Sequence, residues 1–342
     1  MSDAARITQL DGKLPNLALM RISAWRRDEG DEIVFRRSPY RHLDEPDYAR
    51  VYGSTIFSFA AEQAARLRTE WPDAIIGGTG IGTRFDVEDL DGFRDCGLDY
   101  SLYPDFDASL GFTQRGCRLS CKFCVVPGKE GKPRSVATIA DIWRGPSYPK
   151  HLHLLDNDFF GQPEEQWRAR IEEIRAGEFK VCFNQGINVR AMTRETASAL
   201  ASVDYRDDGF KTRRLYTAWD NLKDEEVFFC GVDLLEGAGV PPTHLMAYML
   251  IGFDKRETWE RLFYRFERMV ARGIRPYPMI YGDRHRTLPL GGYNGRVGHR
   301  PLWQFQKWAV RRYYELMTFE QFDNNAKWRD QEDVASLFAA DA

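Results

Sequence analysis

Apolar and polar positions along this chain change period several times, and each change marks an element. In "NLALMRISAWRR" (Asn16–Arg27) the apolar residues recur three and four apart, which predicts an amphipathic helix ending in a turn at Gly30. Strands are predicted from about Glu32 to Arg36 and over "RVYGSTIFSF" (Arg50–Phe59), where β-branched and aromatic residues concentrate. "AAEQAARLRTEW" (Ala60–Trp71) returns to helical spacing, and "DAIIGGTGIG" (Asp73–Gly82) reads as a strand running into a glycine turn. Strand–helix alternation of this kind implies a small doubly wound parallel sheet.

From Ser109 onward the alternation is longer and more regular. Strands are predicted at Leu110–Gln114, His151–Asp156, Lys180–Gln185, Arg214–Trp219, His244–Ile251 and Arg275–Tyr281. Helices are predicted between them at Ile139–Trp143, Glu164–Arg175, Arg194–Ala201, Lys223–Glu236 and Arg256–Ala271. Repeated βα units with right-handed crossovers close into a full or partial barrel, with the site at the C-terminal ends of the strands. Pro301–Phe319 reads as an aromatic and basic helix, followed by a polar tail. The expected organisation is α/β throughout. A Rossmann-like domain spans 1–107, a partial (βα)6 TIM-like barrel spans 108–282, and a helical extension spans 283–342.

Composition narrows the class. The 342 residues carry a formal net charge of −3, with 43% hydrophobic and 29% charged residues, ordinary values for a soluble globular protein. No apolar run approaches the roughly 18 residues of a membrane span. "MSDAARITQLDGKLPN" lacks the charged-then-apolar layout of a signal peptide, so the expected location is the cytoplasm. Thiols stay reduced there, so clustered cysteines point to metal or redox chemistry and not to disulfides. Gly78, Gly80 and Gly82 have the wrong spacing for a dinucleotide fingerprint and no helix opens after them, so a tight turn is favoured over a phosphate loop.

Three of the six cysteines, Cys117, Cys121 and Cys124, fall on one loop, "GFTQRGCRLSCKFCVVPGKEGK", directly after the first barrel strand. Thiolates suit zinc or iron–sulfur clusters. A structural zinc site wants four closed ligands, and this loop offers three. A zinc knuckle completed from elsewhere, or unrelated thiols, is the bland alternative.

The C-x3-C-x2-C spacing with Phe123 before the last cysteine resembles the radical S-adenosylmethionine superfamily. The surrounding "GCRLSCKFCVVPGKEGKPRS" is similar to the cluster loop of its methylthiotransferases. "LLDNDFFGQP" (Leu154–Pro163) and "YMLIGFDKRETWE" (Tyr248–Glu260) resemble later strand ends of the same superfamily, in the same order. The resemblance covers Ser109 to about Tyr281. It implies a 4Fe–4S cluster on Cys117, Cys121 and Cys124, whose fourth iron is open to chelate S-adenosylmethionine. One electron, from a donor such as flavodoxin or ferredoxin, would then cleave that molecule to a 5′-deoxyadenosyl radical. Phe123 would lie near the adenine, and Asp156 and Asn157 near the amino group. Asn184, Gln185 and Arg190, in "FNQGINVR", would reach the ribose or carboxylate, with backbone capping as the alternative for the two amides. Gly252 closes the later strand at the cofactor. Trp219, Asp220 and Asn221 would face the substrate, and Asp220 or Asn221 could equally cap a helix. The usual Gly-Gly-Glu motif is absent, and so are the extra cysteines and C-terminal RNA-binding domain of true methylthiotransferases.

An α/β unit ahead of such a barrel resembles a cobalamin-binding domain. "WRRDEG" stands where D-x-H-x-x-G would, and His42 is the one histidine before the barrel, so a histidine ligand to cobalamin is disfavoured and a vestigial domain is expected. Between Arg284 and Arg312 the chain has Arg284, Arg286, Arg296, Arg300, Lys307, Arg311 and Arg312 with no acid, interleaved with aromatic residues. Such a surface suits phosphates and exposed bases, with an ordinary amphipathic helix as the alternative. The expected function is therefore a radical enzyme acting on a nucleic acid or nucleotide, with Arg296 and Arg300 on the substrate. A radical enzyme acting on a peptide or small metabolite, with or without cobalamin, or a non-catalytic metal protein, are the other readings.

Overall fold

A strand that the apolar pattern does not announce forms the middle of the first sheet. β1 (Ala4–Gln9) is flanked by β2 (Glu32–Arg36) on one side and by β3 (Arg50–Ser54) on the other, and β4 (Ile75–Gly77) adds outside β3, all parallel. Polar residues disguise β1. Arg6 and Thr8 are fully buried, and Arg6 is matched by Glu45 at 3.2 Å, by Thr8 at 2.6 Å and by the Trp71 ring beneath its guanidinium. A buried charge is tolerated only when it is paired and hydrogen-bonded in this way. The computed structural model describes residues 3–43, 45–82, 86–289 and 300–322.

The chain divides into two units after Asp107. In the first, α1 (Leu17–Asp28) packs Leu19, Met20 and Trp25 with Ile7 and Tyr52, while α2 (Ala61–Glu70) packs Ala64 and Leu67 with Val51 and Ile76. The two clusters lie on opposite faces of the sheet, which is doubly wound. Asn16 caps α1 by accepting from the Leu19 N–H at 3.2 Å. The glycine turn is a tight turn with a steric reason. Gly78 has φ of +110°, and a Cβ there would lie 1.9 Å from the Thr55 carbonyl oxygen.

The second unit begins with β5 (Ser109–Gly111). A two-residue antiparallel ladder follows, β6 (Gln114–Arg115) against β7 (Arg134–Ser135), with the short α3 (Val126–Lys129) inside the hairpin it closes. After α4 (Ile139–Ile142) come β8 (His151–Leu154), α5 (Glu164–Ala176), β9 (Lys180–Phe183), α6 (Arg194–Ala201) and β10 (Asp204–Tyr205). Then follow β11 (Leu215–Ala218), α7 (Glu225–Gly237), β12 (Leu245–Ile251), α8 (Trp259–Ala271), β13 (Arg275–Ile280) and α9 (Leu302–Val310). The strands form two parallel sheets, ordered β10-β9-β8-β5 and β11-β12-β13. The Ile187 N–H joins them by donating to the Tyr216 carbonyl at 2.8 Å.

One face of both sheets buries Leu152, Leu154, Val181, Phe183, Leu215, Leu245, Ala247, Met249 and Ile251 in the same core as residues of α5 to α9. Each of these side chains except that of Ala247 contributes about 1.5–3 kcal/mol. The aromatic segment near the C-terminus belongs to this core. Phe305 and Trp308 pack on Phe263 and Phe266 at ring separations of 5.3 and 5.1 Å. Among the described residues, no helix is long and apolar enough to cross a membrane.

Two helices begin later than their periodicity predicts. α8 starts at Trp259, where Thr258 caps it through the Arg261 N–H, because Glu257 turns back to accept from the Gly252 N–H at 2.7 Å. α7 starts at Glu225 after a 3-10 turn over Leu222–Asp224.

Candidate metal and cofactor site

The cysteines sit at the tip of the hairpin that β6 and β7 close. Its bend depends on Gly116, whose φ is +85° and where a Cβ would meet the Lys132 carbonyl oxygen at 2.3 Å. Three successive residues after β8 grip the near limb. Asp156 accepts from the Thr113 N–H at 2.7 Å, the Gln114 N–H at 3.1 Å and the Thr113 hydroxyl. Asn157 accepts from the Gly116 N–H at 3.0 Å. Asp158 takes the Arg118 fork at 2.7 and 2.9 Å. Buried Gln114 completes the brace, with its amide nitrogen on the Arg115 and Gly116 carbonyls and its amide oxygen on the Asp158 N–H. The assignment of Asp156 to the amino group of S-adenosylmethionine is therefore corrected: its carboxyl is buried and engaged by the hairpin. Asn157 also has its oxygen on the hairpin.

Burial pushes the Asp156 carboxyl up to about 7, against the opposing pull of the Thr113 and Gln114 hydrogen bonds. Its folded value lies above the ordinary 3.8, so the folded state holds the proton more tightly than the unfolded chain. The resulting stability is full below about pH 4 and is lost as pH rises through about 7. Asn mimics the protonated form, with an oxygen for the two N–H groups and an N–H for the Thr113 hydroxyl. In urea titrations from pH 5 to 8, the wild type should lose stability relative to Asp156→Asn, by roughly 1.4 kcal/mol for each pH unit crossed below the folded value. Parallel pH profiles for the two proteins would contradict this.

Each cysteine sulfur is faced by an N–H. The Leu119 amide lies 3.4 Å from the Cys117 sulfur, the Val126 amide points at Cys124, and an Arg190 nitrogen lies 3.7 Å from the Cys121 sulfur. The three side chains are half-buried. Burial pushes the Cys117 and Cys124 thiols up, and neighbouring loop cysteines add to the rise, Cys124 and Cys121 at Cys117 and Cys121 at Cys124. Three thiolates here would require a cationic partner, which a metal cluster would supply. Among the described residues, no group of three or more His, Cys, Asp or Glu side chains closes around a single ion. A 4Fe–4S cluster has no such requirement, because each thiolate binds a different iron. The donor set fits that group.

Other predicted residues divide into two sets. Phe123 packs edge-on against Phe253 at 5.4 Å, and Phe253 against Tyr281 at 4.9 Å, so the cysteine hairpin meets the segments that follow β12 and β13. Gly252 lies beside them with both backbone groups engaged, its N–H by Glu257 and its carbonyl by Arg286 at 2.7 Å. Asp220 is raised by burial, although the Leu250 N–H at 2.9 Å and the charges of Arg265 and Arg190 favour its ionised form, and its charge reaches Cys124. Asn184 bonds His153 at 3.0 Å and Gln185 is exposed at the end of β9.

Trp219 is corrected from substrate contact to core. It is fully buried against Phe228 and Phe229, and its indole N–H donates to the Asn221 carbonyl at 2.7 Å. Asn221 precedes the 3-10 turn without capping it through its side chain. Arg300 is corrected as well. Its guanidinium donates to the carbonyls of Phe319, Glu320 and Phe322 and lies over the Phe319 ring, so it latches the C-terminal turn. Arg296 lies outside the described residues.

Sequence reasoning passed over the sheet face opposite the helices. Tyr216, Tyr248 and Tyr277 share that face, with ring separations of 6.1 and 5.7 Å, and His153 and Cys182 occupy it on β8 and β9. Phe210, at φ of +58°, stacks on His151 at 4.4 Å. The signal available was period-2 alternation, which places Tyr248 opposite in direction to Ala247 and Met249.

In the first unit, the crevice between the C-terminal ends of β1 and β3 is where doubly wound sheets take ligands. Here Asp11 fills it, accepting from Ile56 and Phe57 N–H groups at 2.8 and 2.7 Å and from the Thr55 hydroxyl at 2.8 Å. His42 lies in an exposed loop after β2. Comparison with protein families, with characterised proteins and with solved structures returns no match to this chain.

Proposed function

We propose that this chain is a radical S-adenosylmethionine enzyme. The carrying observation is the cysteine trio on a braced hairpin, each sulfur with an N–H partner and no fourth protein ligand among the described residues. Cys117, Cys121 and Cys124 would hold a 4Fe–4S cluster that supplies the electron for reductive cleavage of S-adenosylmethionine. We read β5, β8, β9, β11, β12 and β13, parallel and in chain order, as the six strands of a partial barrel whose mouth carries the hairpin. Gln185, the Asn157 amide nitrogen and the second Asp220 oxygen are the polar groups at the strand ends that we assign to S-adenosylmethionine. Phe123, backed by Phe253, offers an apolar wall for its adenine. The tyrosine and histidine face of the sheets lines the interior and orients the substrate. The first unit is structural in this reading, and cobalamin is not held through a histidine. Metal analysis tests the reading: iron with equal acid-labile sulfide supports it, and zinc without sulfide refutes it.

For the substrate we favour a nucleic acid or nucleotide, on the strength of the basic segment. Its charges are partly committed internally, with Arg286 on Gly252, Arg300 on the C-terminal turn and Arg312 on Glu315. Exposed Arg284, together with Arg296, is the cation pair that we assign to phosphates. Binding to an oligonucleotide should weaken linearly with log salt. Arg284→Ala with Arg296→Ala should reduce that slope by roughly 0.7–0.9 for each phosphate no longer neutralised. Absence of binding at low salt would transfer the reading to a peptide or small metabolite.

A further inference from the structure

Arg190 enters the site from the 3-10 turn Val189–Ala191 after β9. The resemblance assigns it to S-adenosylmethionine, but both ends of its fork are engaged. One nitrogen donates to Asp224 at 2.9 Å and the other to the Cys121 sulfur at 3.7 Å. The Arg190 and Asp224 side chains are only 20% and 17% exposed, so water screens this charge weakly. Burial opposes the guanidinium charge, and the Cys121 sulfur and Asp224 together more than restore it. The three sulfurs are unequal in this respect. Cys117 and Cys124 are faced by neutral backbone amides. Carboxylates are among the charges felt at those two, Asp158 at Cys117 and Asp220 at Cys124. Asp158 is already neutralised by Arg118. Cys121 alone has a cation hydrogen-bonded to its sulfur among the described residues.

Resting on the cluster reading above, we propose that Arg190 is a positioning residue that sets the reduction potential of the cluster through the Cys121 sulfur, with Asp224 as its counter-charge. Reduction adds one electron and one negative charge to the cluster. A cation bonded to a ligand sulfur stabilises that added charge and raises the potential, and hydrogen bonds to sulfur act in the same direction. An anion behind the cation partly offsets it.

The test is a potentiometric titration, followed by the electron paramagnetic resonance signal of the reduced cluster, on anaerobically reconstituted full-length protein. At the potential that half-reduces the wild type, Arg190→Gln should lower the ratio of reduced to oxidised cluster at least tenfold, about 59 mV for a one-electron couple. Arg190→Lys, which keeps the charge without the fork, should stay within about threefold of the wild type. Asp224→Asn, which keeps an acceptor and removes the anion, should shift the ratio in the opposite direction, toward reduced cluster. It carries the test alone if Arg190→Gln does not take up iron. Unchanged potentials in iron-loaded Arg190→Gln and Asp224→Asn would overturn the proposal and leave an ordinary ion pair. A wild type without iron and sulfide would instead overturn the cluster reading beneath it.

Discussion

Replacing Cys117, Cys121 or Cys124 by alanine, one at a time, is expected to remove bound cluster and reductive cleavage of S-adenosylmethionine, while Cys182→Ala keeps both. The three loop sulfurs share one hairpin, and each has an N–H donor that stabilises its thiolate. Loss of one thiolate would leave two of the three loop ligands, and the hairpin carries no further cysteine. Cys182 differs in kind. It is fully buried on β9, where burial pushes its thiol well above the ordinary value and disfavours the thiolate. Cys230 is exposed on α7, outside the hairpin. Iron and sulfide analysis of each purified variant, with visible absorption and product chromatography, reads the effect. The hairpin brace of Asp156, Asn157 and Asp158 uses none of the cysteine side chains, so these variants should remain folded by circular dichroism. Full cluster content in any one of the three loop variants would exclude that cysteine as a ligand.

Arg265→Ala is expected to produce the largest loss of stability, about 3–5 kcal/mol, the usual cost of stripping one partner from a buried ion pair. Arg265 is 2% exposed and Glu257 5% at their side chains. The guanidinium donates to the carbonyls of Trp219, Asp220 and Leu250 at 3.2, 2.9 and 3.1 Å, and to Glu257. Glu257 in turn accepts from the Gly252 N–H. One side chain thus joins the ends of β11 and β12 to the turn that follows, beside Asp220. Its removal leaves a buried carboxylate and three carbonyls without their donor. The double variant Arg265→Met with Glu257→Gln should recover a substantial part of the loss, because no charge is then left buried alone. Denaturant unfolding measures both, and a single-variant loss under about 1 kcal/mol would show the pair to be dispensable.

The longer strands of the second unit are legible in the sequence because their buried face is continuously apolar and punctuated by turns, from His151–Leu154 through Arg275–Ile280, while the two-residue β7 and β10 escape. The cysteine trio is legible because its spacing is local. What escapes depends on partners distant in sequence. β1 is hidden because Arg6, Thr8 and Gln9 are polar, and only Glu45, Trp71 and the loop carbonyls at Asp11 and Gly12 make their burial tolerable. Asp156 and Arg190 stand at the expected strand ends with unexpected partners. A carboxylate at a strand end serves a backbone hairpin as readily as a ligand, and the spacing of residues does not distinguish the two. Trp219 has the same ambiguity, since a residue one position beyond β11 turns either to the mouth or to the helices. The core formed by Phe228 and Phe229 decides it.

The most direct test is product analysis of the anaerobically reconstituted wild type, incubated with S-adenosylmethionine and dithionite. The prediction is about four irons and four sulfides per chain, with 5′-deoxyadenosine and methionine released only when reductant is present. A chain that binds zinc without sulfide and leaves S-adenosylmethionine intact under reductant would contradict the account.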